Sequence, residues 1–271
     1  MWLSVIEEKS MQDYVFIFSV YKNDTPENVA TMLNSIKMYE RICVIDGEID
    51  SALGQVIDEH DMVVVRNEEN RGLPNCMNQA ISIGMAEGYD FFFRIDADDR
   101  NHHDRVGKTL NLFDQKPSLL FGGTFCYEID EKGEIVFEKS LPHTDHEMKQ
   151  VLLKRPPFIH PTVCFRRDFF DEVGTYNESL RIAQDYELWF RAAARGIEFA
   201  NVPEFLYYYR KDSDFYRKYR SKERASGELR IHREGLRLIE APRGANVYPW
   251  LKYALRRSPT FISRLAYTYM R

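Results

Sequence analysis

Residues 91–99 read FFFRIDADD, an apolar run that ends in three carboxylates within four residues. Similar apolar runs precede it, namely YVFIFSV at 14–20, ICVID at 42–46 and MVVVR at 62–66. Nearly all-apolar runs of this length are typical of parallel strands covered on both faces. Segments with helical periodicity lie between them, at 26–38 and 73–87. Strand alternating with helix predicts an α/β fold with a mostly parallel central sheet flanked by helices.

The second half of the chain has a mixed pattern. A helix is predicted near 104–114 and a strand in LLFGGTFCY at 119–127. A strongly amphipathic helix begins at Gln184 and ends at Gly196, because glycine commonly terminates helices. From residue 212 onward the sequence predicts further helices.

Charge is divided unevenly along the chain. Residues 210–271 hold 16 Lys and Arg against 6 Asp and Glu, whereas residues 1–209 hold 21 against 36. The C-terminal part is therefore strongly basic although the whole chain carries a net charge of −5. Such a division predicts a surface that meets an anionic partner. No nucleic-acid recognition module accompanies the basic residues, so a membrane face is favoured over nucleic acid.

Composition and cysteine usage favour a cytoplasmic globular protein. With 44% hydrophobic residues the chain can bury a sizeable core. Its first residues lack a basic n-region, and no apolar stretch approaches the roughly 20 residues that span a bilayer, so neither a cleaved signal nor a transmembrane helix is expected. The four cysteines lack CxxC spacing and mostly lie in apolar runs, which indicates reduced core thiols. They are Cys43, Cys76, Cys126 and Cys164.

The carboxylates that follow the fourth apolar run are the most specific chemical signal. Asp96, Asp98 and Asp99 repel one another unless they share a cation, and ligands collect where parallel strands end. A hard divalent ion suits this set, because Mg²⁺ takes one or two carboxylates and completes its shell with phosphate oxygens. The alternative is a solvated acidic turn that caps the helix near Asp104.

With these motifs the sequence resembles the family 2 glycosyltransferases of the GT-A fold over about residues 14–210. FSVY at 18–21 resembles the first strand of that family, IDG at 45–47 its second-strand motif, and NRGL at 70–73 the entry to the helix before its metal motif. The resemblance implies that a nucleotide-sugar donor is bound by Ser19, Tyr21, Asp46, Arg71, Asp96 and Asp98. It also implies Mn²⁺ or Mg²⁺ as the cofactor, held by Asp98 and Asp99.

The chemistry of three donor-site residues agrees with these implied roles. A tyrosine at a strand end can stack on a base, an ionised aspartate accepts from an imide N–H, and an arginine neutralises a phosphate. The alternatives are a packed Tyr21, a turn-forming Asp46 and a solvated Arg71.

The segment QDYELW at 184–189 resembles the acidic motif that carries the general base of the family. The resemblance assigns that role to Asp185, with Gln184 where many members have Glu. The alternative is that Asp185 caps the helix, a position that aspartate also favours. The acceptor side is expected to include His160, Gln184 and Trp189. The family's Tyr-Arg-x-His element is replaced by YRKD at 209–212, so Arg210 and Lys211 are the candidates for the contacts of the missing histidine.

Residues 1–210 are thus predicted to form the GT-A catalytic domain, with a nucleotide-binding half at about 14–100 and an acceptor half at about 101–210. Residues 211–271 form a basic, mostly helical extension. Its end, residues 247–271, contains five basic residues, no acidic residue and many aromatics. It predicts either a helix that rests at a membrane interface, with Trp250 and Leu251 apolar and Lys252 and Arg256 beside them, or a helix docked on the catalytic domain.

The function expected from the resemblance is transfer of a sugar, expected to be a hexose, with inversion at the anomeric carbon. The donor would be a UDP-sugar and the acceptor a saccharide, possibly linked to polyprenyl diphosphate, in assembly of a bacterial surface polysaccharide such as O-antigen or exopolysaccharide at the inner face of the membrane. One alternative is a noncatalytic nucleotide-sugar-binding or scaffold protein with the same fold. A nucleotidyltransferase is disfavoured because the first strand lacks a glycine-rich phosphate loop after it.

Overall fold

The computed structural model describes residues 13–211 and 221–258. Within these residues nine strands form one sheet. They are β1 (Tyr14–Val20), β2 (Glu40–Asp46), β3 (Val63–Asn67), β4 (Phe91–Arg94), β5 (Arg100–Asn101), β6 (Phe121–Ile129), β7 (Ile135–Lys139), β8 (Cys164–Arg166) and β9 (Ala200–Arg210). The helices are α1 (Pro26–Ser35), α2 (Ser51–Asp58), α3 (Leu73–Ala86), α4 (Arg105–Gln115), α5 (Asp145–Leu152), α6 (Arg167–Val173), α7 (Gln184–Ala194), α8 (Lys222–Leu238) and α9 (Val247–Arg257).

The sheet has the order β3-β2-β1-β4-β8-β6-β9-β5, with β7 paired to β6. Strands β3, β2, β1 and β4 are parallel, which confirms the α/β fold and its alternating first half. The second half is mixed, since β8 runs antiparallel to both β4 and β6 whereas β9 is parallel to β6. The carboxyl ends of the parallel strands therefore meet at one edge, where the predicted site residues lie.

Apolar cores cover both faces of the sheet. Alternate residues of β1 point to opposite sides, so that Val15 and Ile17 pack in one core and Phe16 and Phe18 in the other. The first core contains α3, α6 and α7, and the second contains α1, α2 and α4. Strands buried on both faces explain why the apolar runs of the sequence are almost continuous.

The C-terminal extension packs into the first core. Ile231 and Leu236 of α8 are buried there with residues of α7. His232 contacts the rings of both Tyr186 and Phe190, and its Nε2 lies 3.0 Å from the carbonyl oxygen of Leu153. The extension predicted from residue 211 is thus packed against α7 over its described part, residues 221–258.

The helices of the extension do not resemble membrane spans. Among residues 13–211 and 221–258, no helix combines the length and the apolar character that crossing a bilayer requires. The last part of the predicted tail, residues 259–271, lies outside the described residues. The same is true of residues 1–12.

All four cysteines are buried and reduced, as predicted. Burial raises the pKa of each thiol, to about 12 for Cys126 and further for the other three. None of them is therefore a candidate nucleophile or thiolate ligand.

Gly235 allows α8 to approach α7 closely. A Cβ at this position would overlap the ring of Phe190, which is fully enclosed by the core. We expect Gly235→Ala to destabilise the protein by roughly 1–3 kcal/mol, because overpacking outweighs the better helix propensity of alanine. Gly107→Ala is the matched control, since Gly107 is exposed in α4 and its added Cβ meets open space. Equal urea midpoints for the two variants would contradict this packing.

Candidate active site

An open cleft lies at the carboxyl ends of β1 and β2. Its volume is about 790 Å³, within the range of small-molecule sites. Tyr21 follows β1, Asp46 ends β2, and Asn70 comes from the loop before α3. Two of the predicted donor-binding residues, Tyr21 and Asp46, are thereby brought to one cleft. The remaining lining residues are Lys22, Gly47, Glu48, Ile49 and Asp50.

Asp46 fixes the backbone at the start of α3. Its two carboxylate oxygens accept from the backbone N–H groups of Arg71 and Gly72, at 2.7 and 2.9 Å. Gly47 has φ +87°, and a Cβ there would stand 2.9 Å from the backbone nitrogen of Asn70, so this close approach requires glycine. An ionised carboxylate has about four acceptor positions, so Asp46 retains capacity for a base N–H besides its structural role.

The other predicted donor residues differ in exposure. Ser19 is half-buried near the end of β1, and Tyr21 is half-buried with its backbone N–H donating to Asp24 at 2.8 Å. Arg71 is exposed, and its charge contributes to lowering the pKa of Glu178, after hydrogen bonds from Asn78 and Asn75. Their contacts with a nucleotide stay predictions.

The acidic motif after β4 is held by groups from distant parts of the chain. Asp96 accepts from the Nη2 of Arg94 at 2.6 Å. Asp99 is 1% exposed and accepts from the Tyr207 hydroxyl at 2.8 Å and from the backbone N–H of Arg210 at 2.7 Å. Burial, followed by the charges of Asp98 and Asp96, raises the pKa of Asp99 well above its ordinary value. These contacts differ from those of a solvated acidic turn.

The motif offers oxygen ligands that fit a divalent cation. Asp96 and Asp98 are half-buried, and carboxylate oxygens are the ligands that Mg²⁺ and Mn²⁺ prefer. Both oxygens of Asp99 already accept hydrogen bonds, so Asp99 shapes the motif from beneath. Its role as a metal ligand beside Asp98 stays a prediction.

A second group with metal-ligand chemistry follows the motif directly. His102, His103 and Asp104 place one ligand atom each within 4.8 Å of one another. His103 and Asp104 are exposed, and the Nδ1 of His102 lies 3.2 Å from the backbone nitrogen of Asp104. The three residues are consecutive in the sequence, and this was the signal from which the group could have been predicted.

Two buried arginines support the motif, and sequence reasoning missed both. Arg94 is 1% exposed with Asp96 as its ion-pair partner. Arg105 is fully buried, donates to the carbonyl oxygen of Arg94 at 2.9 Å, and lies over the ring of Tyr207 at 5.0 Å. Arg94 ends an otherwise apolar strand, which was the one sign of its importance in the sequence.

Asp185, the predicted base, lies in the first turn of α7. The helix begins at Gln184 after Ala183, which has φ 56° and ψ 30° and provides no side-chain cap. This left-handed conformation is unfavourable for a residue with a Cβ, by roughly 1–2 kcal/mol. Because Ala183 occupies the N-cap position and Asp185 is the second helical residue, Asp185 is not the helix cap. Its half-buried carboxylate instead lies near the positive end of the helix.

The environment of Asp185 favours a stronger base than an exposed aspartate. Burial raises the pKa of Asp185, and the negative charge of Glu228 acts in the same direction. The cationic side chains of Arg94 and Arg224 oppose this shift, as does a hydrogen bond from the backbone of Tyr186. The net direction is upward, toward the range in which a carboxylate accepts protons efficiently.

His160 lies beside this region and is held by a tyrosine. Its Nε2 is 2.8 Å from the Tyr176 hydroxyl, and burial together with the charge of Arg94 lowers the pKa of His160 well below its ordinary value. Asn78 fixes the backbone of Tyr176 through two hydrogen bonds of 2.9 Å. His160 is therefore neutral, and an acceptor contact through it stays a prediction.

The structure corrects the expectation for Trp189. Its side chain is 0% exposed and stacks on Phe121 at 5.3 Å within the core, so it cannot contact an acceptor directly. Its position five residues into α7 turns it inward, whereas Gln184 at the start of the helix remains half-buried.

Of the two candidates to replace the missing histidine, Arg210 contacts the acidic motif, whereas Lys211 is engaged elsewhere. Arg210 donates through Nε to the carbonyl oxygen of Asp98 at 2.9 Å, and Lys211 pairs with the fully buried Glu128 at 2.5 Å. Asp212, the residue that follows them, lies outside the described residues.

A family model described as Glycosyl transferase family 2 matches residues 16–174, which is more than half of the chain. The chain belongs to glycosyl transferase family 2. The matched segment contains β1 to β4, the cleft residues and the acidic motif, and it ends before Asp185.

Relatives of similar length support this family assignment. An uncharacterized glycosyltransferase of Haemophilus influenzae is 27% identical over 267 residues, covering 94% of this chain and 98% of the relative. The amylovoran biosynthesis glycosyltransferase AmsE of Erwinia amylovora is 28% identical, with coverage of 82% and 85%. An Escherichia coli enzyme named UDP-Gal:alpha-D-GlcNAc-diphosphoundecaprenol beta-1,3-galactosyltransferase is 26% identical, with coverage of 70% and 71%.

Solved glycosyltransferases share the GT-A fold at lower identity. GalNAc-T7, solved with UDP, GalNAc and Mn²⁺, has a TM-score of 0.62 at 17% identity and covers 92% of this chain and 52% of its own. The mannosyltransferase PcManGT of Pyrobaculum calidifontis, solved with GDP-Man and Mn²⁺, has a TM-score of 0.60 at 15% identity, with coverage of 94% and 79%. These similarities confirm the predicted GT-A fold.

Proposed function

We propose that this family 2 member transfers a sugar from a UDP-sugar to a saccharide acceptor with inversion at the anomeric carbon. The observation that carries the proposal is the place of Asp185, a half-buried carboxylate of raised pKa in the first turn of α7. The charge of Arg94 acts on this carboxylate and also pairs with Asp96 of the acidic motif. Base and motif therefore belong to one connected site, which a noncatalytic binding protein would not need.

The donor is assigned to the cleft at the ends of β1 and β2. Tyr21 stacks on the base and Asp46 accepts from its N–H, while exposed Arg71 neutralises phosphate charge. Asp96 and Asp98 would hold Mn²⁺ or Mg²⁺, which supplies positive charge to the diphosphate oxygens when bound. Uracil as the base rests on the family resemblance and on the donor in the name of the E. coli relative.

The reaction is a single displacement. Asp185 takes the proton of the acceptor hydroxyl. The acceptor oxygen forms the new bond to the anomeric carbon, and the bond from that carbon to the diphosphate oxygen breaks on the opposite face. A positioned carboxylate base contributes about 10²- to 10⁴-fold to such a step. Gln184 and His160 are placed on the acceptor side, where each offers hydrogen-bonding groups to a sugar.

The acceptor is assigned to bacterial polysaccharide assembly. The names of two relatives support this assignment, one in amylovoran biosynthesis and one with a GlcNAc-diphosphoundecaprenol acceptor. A lipid-linked acceptor places the enzyme at the inner face of the membrane for at least part of its cycle.

The donor site is tested by thermal shift with UDP, GDP, dTDP and CMP, each with and without Mn²⁺. We expect UDP with Mn²⁺ to raise the unfolding temperature most, because a ligand at a hundredfold excess over its Kd stabilises by about 2.7 kcal/mol. Asp98→Asn should remove the Mn²⁺-dependent part of the shift. Asp171→Asn, an exposed carboxylate of α6, is the control and should keep it. The absence of a shift with every nucleotide would favour the noncatalytic alternative.

The base is tested by Asp185→Asn, which keeps the shape of the side chain and removes its basicity. We expect transfer from UDP-galactose to a GlcNAc-diphosphate-lipid to fall by about 10²- to 10⁴-fold while the UDP thermal shift is unchanged. Asp168→Asn is the matched control, because Asp168 is exposed in the first turn of α6. If the wild type does not use UDP-galactose, Asp185→Asn and Asp168→Asn are compared for release of UDP from other UDP-sugars. Unchanged turnover in Asp185→Asn would exclude it as the base.

Peripheral membrane contact is proposed for the outer face of α9. Val247, Trp250 and Leu251 are 59%, 51% and 47% exposed. Lys252 and Arg256 pair with Glu228, so they do not extend toward lipid as the sequence suggested. The helix is thus docked on the domain and still leaves an apolar face outward. Both alternatives drawn from the sequence are compatible with this arrangement.

The membrane proposal predicts that Trp250→Ser with Leu251→Ser reduces sedimentation with vesicles of phosphatidylglycerol and phosphatidylcholine by several-fold. The apolar side chains supply the insertion energy, at about 25 cal/mol per Å² of surface that leaves water. Ile135→Ser with Val136→Ser is the matched control, because these adjacent residues are 53% and 56% exposed on β7. Equal sedimentation of both double variants would argue against contact through α9.

A further inference from the structure

A buried ion cluster joins α8 to α9 behind the base-bearing helix. Glu228 of α8 is 9% exposed, and its carboxylate pairs with Lys252 and, at 2.5 Å, with Arg256 of α9. Burial acts to raise the pKa of Glu228, but the charges of Lys252 and Arg256 outweigh it and lower that pKa to about 2. Glu228 is therefore ionised at any pH at which the enzyme works.

This cluster lies directly against the turn that carries Asp185. The Nζ of Lys252 is 5.8 Å from the ring centroid of Tyr186, the neighbour of Asp185 in sequence. A Cβ added to Gly227 would stand 3.4 Å from Ile182, so the first half of α8 touches the chain just before the base. The extension is therefore part of the wall behind the base.

The charges of the cluster act on Asp185 itself. The carboxylate of Glu228 contributes to raising the pKa of Asp185, after burial, and Asp185 in turn acts on Lys252. Several elements place a titratable or charged group near Asp185. The direction in which the pKa of Asp185 shifts depends on the combined effect of these groups and of burial. These groups are Arg94 from β4, Tyr176 from the preceding loop, Tyr186 from α7, Glu228 and Arg224 from α8, and Lys252 from α9.

We propose that Glu228 is a positioning residue for the base: from the C-terminal extension it fastens α8 and α9 behind α7 and holds a fixed negative charge near Asp185. The inference rests on the proposed function, in which Asp185 takes the acceptor proton. A carboxylate beside a permanent negative charge holds a proton more readily, and a stronger base gains more from accepting the hydroxyl proton. The extension thus takes part in the chemistry through Asp185.

A merely structural Glu228 has different consequences. If it only fastened the two helices, its replacement would lower stability without changing the titration of Asp185. Removal of Glu228 alone leaves two cations without their buried partner, which commonly costs several kcal/mol. A double variant, Glu228→Gln with Lys252→Met, keeps the side-chain volumes and removes one charge of each sign. It is compared with Lys252→Met, because these two variants differ only in the charge at position 228.

The experiment is a pH titration of the Asp185 carboxyl carbon by NMR in the full chain labelled with ¹³C at the aspartate carboxyl groups. The signal is assigned by its loss in Asp185→Asn. We expect Glu228→Gln to move the titration midpoint to lower pH relative to the wild type by roughly half to one unit, because a repelling charge is removed. The double variant should show the same direction of change relative to Lys252→Met. Glu228→Asp keeps the charge and should restore a midpoint near that of the wild type.

Glu234→Gln is the matched control, since it makes the same charge change at an exposed position of α8. The acidic limb of kcat/KM for sugar transfer should move with the NMR midpoint, with KM for the donor unchanged. Equal midpoints in the folded double variant and in Lys252→Met would overturn the role of Glu228. Unchanged transfer in Asp185→Asn would instead overturn the proposed base, whatever the NMR midpoints show, so the two failures are distinguishable.

Discussion

The burial of two cations at the end of β4 is the constraint on which the site depends. Arg94 and Arg105 are almost fully enclosed, and a buried guanidinium is tolerated only when acceptors surround it. Asp96 neutralises Arg94, while Arg105 bonds the Arg94 carbonyl and lies over the ring of Tyr207. The Tyr207 hydroxyl then holds Asp99. Strand β9 therefore passes beside the acidic motif and holds it through Tyr207 and Arg210.

The site combines two kinds of support. The proposed donor side is built from strand ends, where backbone geometry brings Tyr21 and Asp46 into one cleft. The proposed acceptor side is built from side-chain contacts between distant segments, in which Asn78 fixes Tyr176 and Tyr176 meets His160. The family model ends at residue 174, so the helix that carries Asp185 and the extension behind it belong to the part of the chain that the model does not cover. Backbone geometry therefore positions the proposed donor residues, whereas side-chain hydrogen bonds position the proposed acceptor residues.

The sequence predicts the parallel half of the fold well because its strands are buried on both faces, which leaves apolar runs such as 14–20 and 91–94. It also places the acidic motif and Asp185 correctly at a strand end and a helix start. The prediction for Trp189 is wrong, because this residue belongs to the buried apolar side of α7, with Tyr186 and Phe190, and is enclosed in the core. Pairings across long separations, such as Glu228 with Lys252 and Arg256, leave no local pattern and emerge only from the structure.

The enclosed thiols have a practical consequence. Because all four cysteines are buried and their pKa values are raised, none presents a thiolate to reagents in water at neutral pH. A cysteine introduced on the surface would be the one site open to maleimide or spin-label chemistry without removal of the natural residues. The same enclosure protects the four thiols from disulfide exchange in the folded chain.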